Sequence, residues 1–278
     1  MPTFDTPGPV SVTLEFDLGS ARIVAGERRD TVVEVLPRNG ADDNDVQAAQ
    51  QTKVTCSGGK VLVKGPRKRS LFGRPGSLDI TVEVPSGSDL QGGSPMADLV
   101  CEGPLGHCEF KTSLGDLHVQ QAATARLRTS HGDLTLGRVD GAAEVNGAGR
   151  IEIGTLGAAA TVRNGNGDTV IGEAVGDLKA NSSNGRISVD VAHASVDAKS
   201  ASGHIRVGDV ARGRITLRTA AGDLEVGIRE STAAWLDVST AVGSVLNSLG
   251  TAEGPRSTDE TVEVRATTSA GDIVVRRA

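Results

Sequence analysis

The sequence predicts an all-β protein, a single-domain β-solenoid (β-helix) of ~18-residue coils, with a short helix inserted in its N-terminal part. Three observations carry that prediction. A glycine-centred turn recurs at Gly115, Gly132, Gly149, Gly167, Gly185, Gly203, Gly222, Gly243 and Gly271, at spacings of 17, 17, 18, 18, 18, 19, 21 and 28. Apolar residues recur two and four places after it, as in Leu117 and Val119, Leu134 and Leu136, or Ile205 and Val207. Aromatic residues make up only 2% of the chain, with one Trp, four Phe and no Tyr. A period of about 18 residues holds two short strands and two turns but no pair of helices. A spacing of two places both apolar sets on one strand face, and a second pair before each glycine, such as Val196 and Ala198, does the same. Stacked coils then bury these residues as continuous columns of Val, Leu, Ile and Ala, which a single coil cannot do.

The N-terminal strands come first in chain order. Residues 10–36 alternate as Val10-Ser11-Val12-Thr13-Leu14, Ala21-Arg22-Ile23-Val24 and Thr31-Val32-Val33-Glu34-Val35, the pattern of strands with one buried face. Leu18-Gly19-Ser20 between them resembles a degenerate repeat turn. Acids at Asp42, Asp43 and Asp45 followed by Ala and Gln predict a short helix between Ala41 and Thr52, placed to cover an open end of the stack. Strands resume at Lys60–Lys64 and Leu78–Val84. The division expected is 1–95, N-terminal strands and helix acting as degenerate first coils or a cap, followed by regular repeats over 96–278. The regular coils run to Arg265 and close with Ile273-Val274-Val275, the last being stretched by residues 247–259. The lone Trp235 is expected to pack beneath that excursion.

The glycine itself points to a turn of positive φ or to backbone packed against the next coil. Three places earlier a polar column (Thr112, Thr129, Asn164, Ser182, Ser200, Thr219, Thr240, Thr268) supplies side chains that bond turn backbone. One place after the glycine stands a column of charge: Asp116, Asp133, Arg150, Asp168, Arg186, His204, Asp223 and Asp272. Alternating signs there relieve repulsion between coils about 4.8 Å apart. Asp168, Arg186, His204 and Asp223 are also the best acid/base constellation the chain offers.

Charge and composition weigh against several functions. A formal net charge of −6 and a pI near 5.4 oppose a general nucleic-acid binder. Scarce aromatics weaken single-strand nucleic-acid sites and carbohydrate platforms. The Gly-Asp turns lack the second glycine and the ligand spacing of calcium rolls. Cys101, His107, Cys108 and His118 have no zinc spacing and read as buried cysteines in adjacent coils, so no metal and no cofactor is expected. No apolar run reaches the length of a membrane span and no export signal is visible, which with three cysteines predicts a cytoplasmic, reduced protein. The one dense basic run contains Arg67, Lys68, Arg69, Phe72 and Arg74 in a Pro/Gly-bounded loop, a candidate contact for an anionic partner or a membrane surface.

The repeats, the opening Phe4-Asp5-Thr6-Pro7 and the run Ala233-Ala234-Trp235-Leu236-Asp237 together resemble the bacterial putative-adhesin, β-strand-repeat family of unknown function. The likeness is nearest to its actinobacterial, cytoplasmic-looking branch. It implies a β-solenoid along essentially the whole chain and brings no catalytic motif. Together these readings favour a non-catalytic binding or scaffold module that presents an extended surface to a protein partner or to itself. The alternatives are an acid/base enzyme (lyase, isomerase or cyclase type) on the charged column, and a surface adhesin.

Overall fold

The computed structural model describes residues 1–66, 75–250 and 260–278. The chain forms two compact units, Met1–Val139 and Asp140–Ala278, and both are built of stacked parallel strands, as expected for a β-solenoid.

In the first unit, strands β1 to β4 are Thr3–Asp5, Ser11–Glu15, Leu18–Gly26 and Asp30–Pro37. Helix α1 (Asp43–Gln51) follows, then β5 (Lys53–Ser57), β6 (Lys60–Lys64) and β7 (Leu78–Pro85). The long strands β8 (Asp89–Leu114) and β9 (Leu117–His131) lead to β10 (Leu134–Val139). The N-terminal strands belong to the parallel stack: β2 lies between β6 and β8, and β3 between β7 and β8. Residue 95 therefore falls within β8. Beyond β6 and β7 the order turns antiparallel, with β5 on β6, β4 on β7 and β1 on β4.

Helix α1 packs on β4 and β7. Asp42 caps it by accepting the Asn44 N–H at 2.8 Å. Asp45 is buried, and its carboxylate accepts the N–H groups of Asn39 and Ser77 at 3.0 and 2.7 Å, which ties both flanking loops to the helix. The columns of this unit include Leu14, Ile23, Val63, Val82, Leu99, Leu127 and Leu136, all fully buried, with Phe16 and Phe110 as buried aromatic fillers.

In the second unit, β11 to β16 are Ala143–Gly147, Ile151–Leu156, Ala160–Asn166, Thr169–Ala174, Leu178–Asn184 and Ile187–Ala192. Strands β17 to β20 are Val196–Ser202, Ile205–Val210, Gly213–Ala221 and Leu224–Ile228. The last four, β21 to β24, are Thr232–Val242, Val245–Asn247, Glu260–Ala270 and Ile273–Arg277. One wall runs β11-β13-β15-β17-β19 and the other β12-β14-β16-β18-β20, all parallel and in register coil to coil except for a one-residue shift between Val207 and Val210 where β18 meets β20.

At the C-terminal end the stacking order departs from chain order. The last coil, β23 with β24, lies between the β19/β20 coil and the β21/β22 coil. The coil formed by residues 232–247 is thus outermost among the described residues. Coils with the same apolar columns fit one another in either order, so the period alone does not decide which is outermost.

The recurring glycines explain why the coils approach so closely. Gly222 has φ +141, and a Cβ there would overlap the carbonyl oxygen of Gly203 in the neighbouring coil. Gly19, in the degenerate N-terminal copy, has φ +138 and the same relation to the Leu78 carbonyl. Gly149, whose coil is one residue short, is the exception and is not among the positive-φ glycines. Gly222→Ala should lower stability by at least about 2 kcal/mol, from backbone strain together with the overlap. Gly165→Ala, whose added methyl meets only ordinary contacts, should be close to neutral. Urea midpoints of the two variants check this; equal midpoints would contradict the packing argument.

Candidate binding surface

The turn residues are occupied by the stack itself. Thr129 donates its hydroxyl to the Gly115 carbonyl at 3.0 Å, Thr219 to Gly203 at 3.1 Å, Thr268 to Gly222 at 3.0 Å and Thr240 to Gly271 at 2.9 Å. The polar column therefore performs the turn chemistry expected of it. Ser200 differs, because its buried hydroxyl has no partner.

The charged column forms a second ladder. In the first unit, Asp98 accepts the Asp116 N–H at 2.9 Å, and Asp116 accepts the Asp133 N–H at 2.8 Å. In the second unit, Asp168 accepts the Arg186 N–H at 2.9 Å and Asp223 that of Asp272 at 2.8 Å. Asp272 takes both the N–H and the hydroxyl of Ser244, at 2.8 and 2.9 Å. His204 stands in the same file: the Asp223 N–H donates to its Nδ1 at 3.0 Å, and an Asp223 carboxylate oxygen lies 3.2 Å from that nitrogen. The structure thus brings Asp168, Arg186, His204 and Asp223 into one column, and all four are solvent-exposed. Their side chains are linked to the backbone of the next coil in two places, Asp168 to Arg186 and His204 to Asp223.

A different surface carries uncommitted groups. On the wall built from β13, β15, β17, β19, β23 and β21, one outward row reads Thr161, Lys179, Asp197, Thr216, Arg265 and Asp237 in register. The row two residues earlier brings Arg214, Glu263 and Trp235 side by side. A shallow cleft of about 760 Å³ opens on this wall, lined among others by Lys179, Asp197, Arg214, Thr216, Arg218 and Arg265. Arg214 and Arg265 share Glu263, at 2.8 and 2.7 Å. Lys199 holds one oxygen of Asp197 at 3.2 Å, while the other, Oδ1, is buried and lacks a donor. Lys179 and Arg218 are exposed and make no ion pair or side-chain hydrogen bond with any described residue.

Trp235 corrects the sequence expectation. It is 77% exposed rather than packed beneath the excursion. Its position on β21 alternates with the inward Ala234 and Leu236, so the pleat aims the indole outward. Because β21 is the outermost described strand of this wall, no further coil rises beside it. Apolar alternation could have placed Trp235 on the outer face; the stacking order that leaves it uncovered has no counterpart in the sequence.

The remaining candidates resolve simply. Cys101 and Cys108 are fully buried, and the Cys101 thiol is pushed well above its ordinary value by its contact with Cys108 and by burial. Among the described residues no group of three or more His, Cys, Asp and Glu side chains could hold a metal ion. No described helix is long and apolar enough to cross a membrane. The basic-loop residues Arg67, Lys68, Arg69, Phe72 and Arg74 lie outside the described residues.

A parallel β-solenoid with glycine turns and polar turn ladders is the class these observations define. The Toastrack DUF4097 family profile matches residues 22–276, and the chain belongs to that family. No curated protein matches it. Among solved structures, a "putative adhesin" from Bacteroides fragilis is similar along 99% of this chain and 95% of its own, at 11% identity and a TM-score of 0.37. A "putative adhesin" from Parabacteroides merdae is similar over 98% and 94%, at 8% identity and a TM-score of 0.44. A "putative cell adhesion protein" from Clostridium sporogenes is similar over 100% and 98%, at 11% identity and a TM-score of 0.23.

Two predictions arise from this geometry. Ser244 holds the Asp272 carboxyl below the usual carboxylate range through its N–H and hydroxyl, and the Arg214 hydrogen bond, with help from Arg265, does the same for Glu263. Folded-state values below the unfolded ones mean that these contributions are complete above about pH 5 and disappear as pH falls through the lowered values. Denaturant midpoints should therefore drop on acidification, and Asp272→Asn should flatten that drop; an identical acid limb in the variant would contradict it. The single indole should also behave as water-exposed, with red-shifted emission readily quenched by acrylamide, whereas blue-shifted, protected emission would place Trp235 elsewhere.

Proposed function

We propose that the chain is a non-catalytic binding or scaffold module that offers its extended solenoid surface to a protein partner or to another copy of itself. The observation that carries this is the open end of the apolar columns in the second unit. One coil inward, Val262, Val264, Ile273 and Val275 are at most 2% exposed. On the outermost coil the register partners of Val264 and Ile273 are Leu236, half-buried, and Val245, 43% exposed. Val242 and Leu246 beside them are 69% and 57% exposed. Among the described residues no strand pairs with the outer edges of β21 and β22.

An edge strand of 11 residues next to uncovered apolar side chains is a template for another β-coil. A second copy supplies such a coil with the same width and the same column spacing. The turn columns support the binding reading from another side, since their carboxylates and hydroxyls serve the stack. The acid/base alternative would require His204→Ala to abolish a turnover, which makes that variant its direct test.

Sedimentation at rising concentration, together with cross-linking in lysate, tests the proposal. The native chain should self-associate or retain a specific partner, and Val245→Lys/Leu246→Lys should lose that association while keeping its fold. A native chain that is strictly monomeric and partner-free, or a double variant that associates unchanged, would overturn it.

A further inference from the structure

We propose that the cleft on the outer wall of the second unit binds an acidic polysaccharide, a linear chain of sugars carrying carboxylates. This goes beyond the association at the end coil and does not depend on it.

Charge makes the first argument. The chain carries a formal net charge of −6, yet the cleft is lined by Lys179, Arg214, Arg218 and Arg265 against only Asp177 and Asp197. Screening confines the rest of the protein's field to about 8 Å at physiological salt, so a ligand in the cleft meets a locally positive surface. Two of those cations are already neutralised by Glu263, but Lys179 and Arg218 are not. They stand on β15 and β19 with β17 between them, two strands apart and offset by two residues along the strand, roughly 12 Å between positions. Two free cations at that spacing suit a polymer that repeats its anionic group, better than a single small anion.

Hydrogen bonding makes the second. Asp197 lies between the two cations and is short of one donor for Oδ1. The Asp197 side chain is nevertheless partly exposed at the cleft, and its outer oxygen, which Lys199 engages at 3.2 Å, has lone-pair capacity left to accept a ligand hydroxyl. Thr161 and Thr216 stand two strands and one strand away in the same row and offer hydroxyls that donate or accept. A sugar acid brings hydroxyl donors and carboxylate acceptors on one ring, which matches this mixture.

Trp235 makes the third. In register it stands next to Glu263, which stands next to Arg214 of the cleft, so the indole lies about 10 Å along the same face. An exposed indole offers a flat apolar surface on which the C–H face of a sugar can stack. Acidic peptides fit less well. A peptide that docks by strand addition needs a free strand edge, and on this wall the backbone groups of β15, β17 and β19 are already paired on both sides.

The test uses the full chain with oligogalacturonate as probe, neutral dextran and poly-glutamate as comparisons, and both calorimetry and the Trp235 emission as readouts. Oligogalacturonate should bind saturably, perturb the Trp235 emission, and weaken as salt rises. Lys179→Ala/Arg218→Ala, two exposed sites whose loss leaves the fold intact by circular dichroism, should weaken it roughly tenfold or more. Trp235→Ala should weaken it in calorimetry without changing the salt dependence. Absent binding, equal binding of dextran, or a double variant with native affinity would overturn the proposal. Tighter binding of poly-glutamate would overturn it in favour of an acidic peptide. None of these results alters the sedimentation outcome at Val245 and Leu246, so the two readings fail separately.

Discussion

The structure depends on a single close approach, the carbonyl oxygen of one turn glycine lying where the next coil's glycine would carry a Cβ. At Gly222 that oxygen belongs to Gly203, and the same carbonyl receives the Thr219 hydroxyl. A steric constraint and a hydrogen bond thus meet at one atom, which sets coil separation at the turn. With the turn fixed, the strands on either side fall into parallel register, and Ile205, Leu224 and Ile273 line up as one buried column. The apolar burial supplies the stabilisation; the glycine supplies the geometry that allows it.

That geometry also decides where function can reside. A polar residue at a turn is drawn into bonding the adjacent coil, as Asp168 is by the Arg186 N–H and Asp223 by the Asp272 N–H. Outward residues in mid-strand are under no such demand, because their backbone is already paired and their side chains project from the wall. Lys179, Arg218 and Trp235 are such residues, and the end coil adds Val242, Val245 and Leu246. The surfaces free to recognise something are therefore the wall and the end, while the most regular feature of the sequence serves the fold.

Much of this was legible in the sequence. The glycine period, the apolar columns and the helix between Ala41 and Thr52 all have local causes, a positive φ, a pleat of two and an acidic N-terminus with a capping Asp42. The polar column was readable for the same reason, since Thr129 and Thr219 bond atoms that the repeat itself places. The stacking order was not. Nothing in the residues of β23 distinguishes a neighbour at β19 from one at β21, because Val264 fits against Ile215 and Leu236 alike. The exposure of Trp235 follows from that order, and so it too escaped the sequence. The cleft was hidden differently: Lys179, Asp197 and Thr216 are scattered along the chain and meet only through lateral register.

The most direct test of the account is hydrogen exchange at the turn amides of Asp133, Arg186, Asp223 and Asp272, resolved residue by residue at neutral pH. These N–H groups sit at exposed corners yet donate to side chains of the adjoining coil. The account predicts that they exchange as slowly as buried strand amides such as that of Ile205, opening only when the coils separate. Exchange at the rate of open loops, with the strands still protected, would mean that the ladder does not hold the turns and that the charged column is free for another purpose.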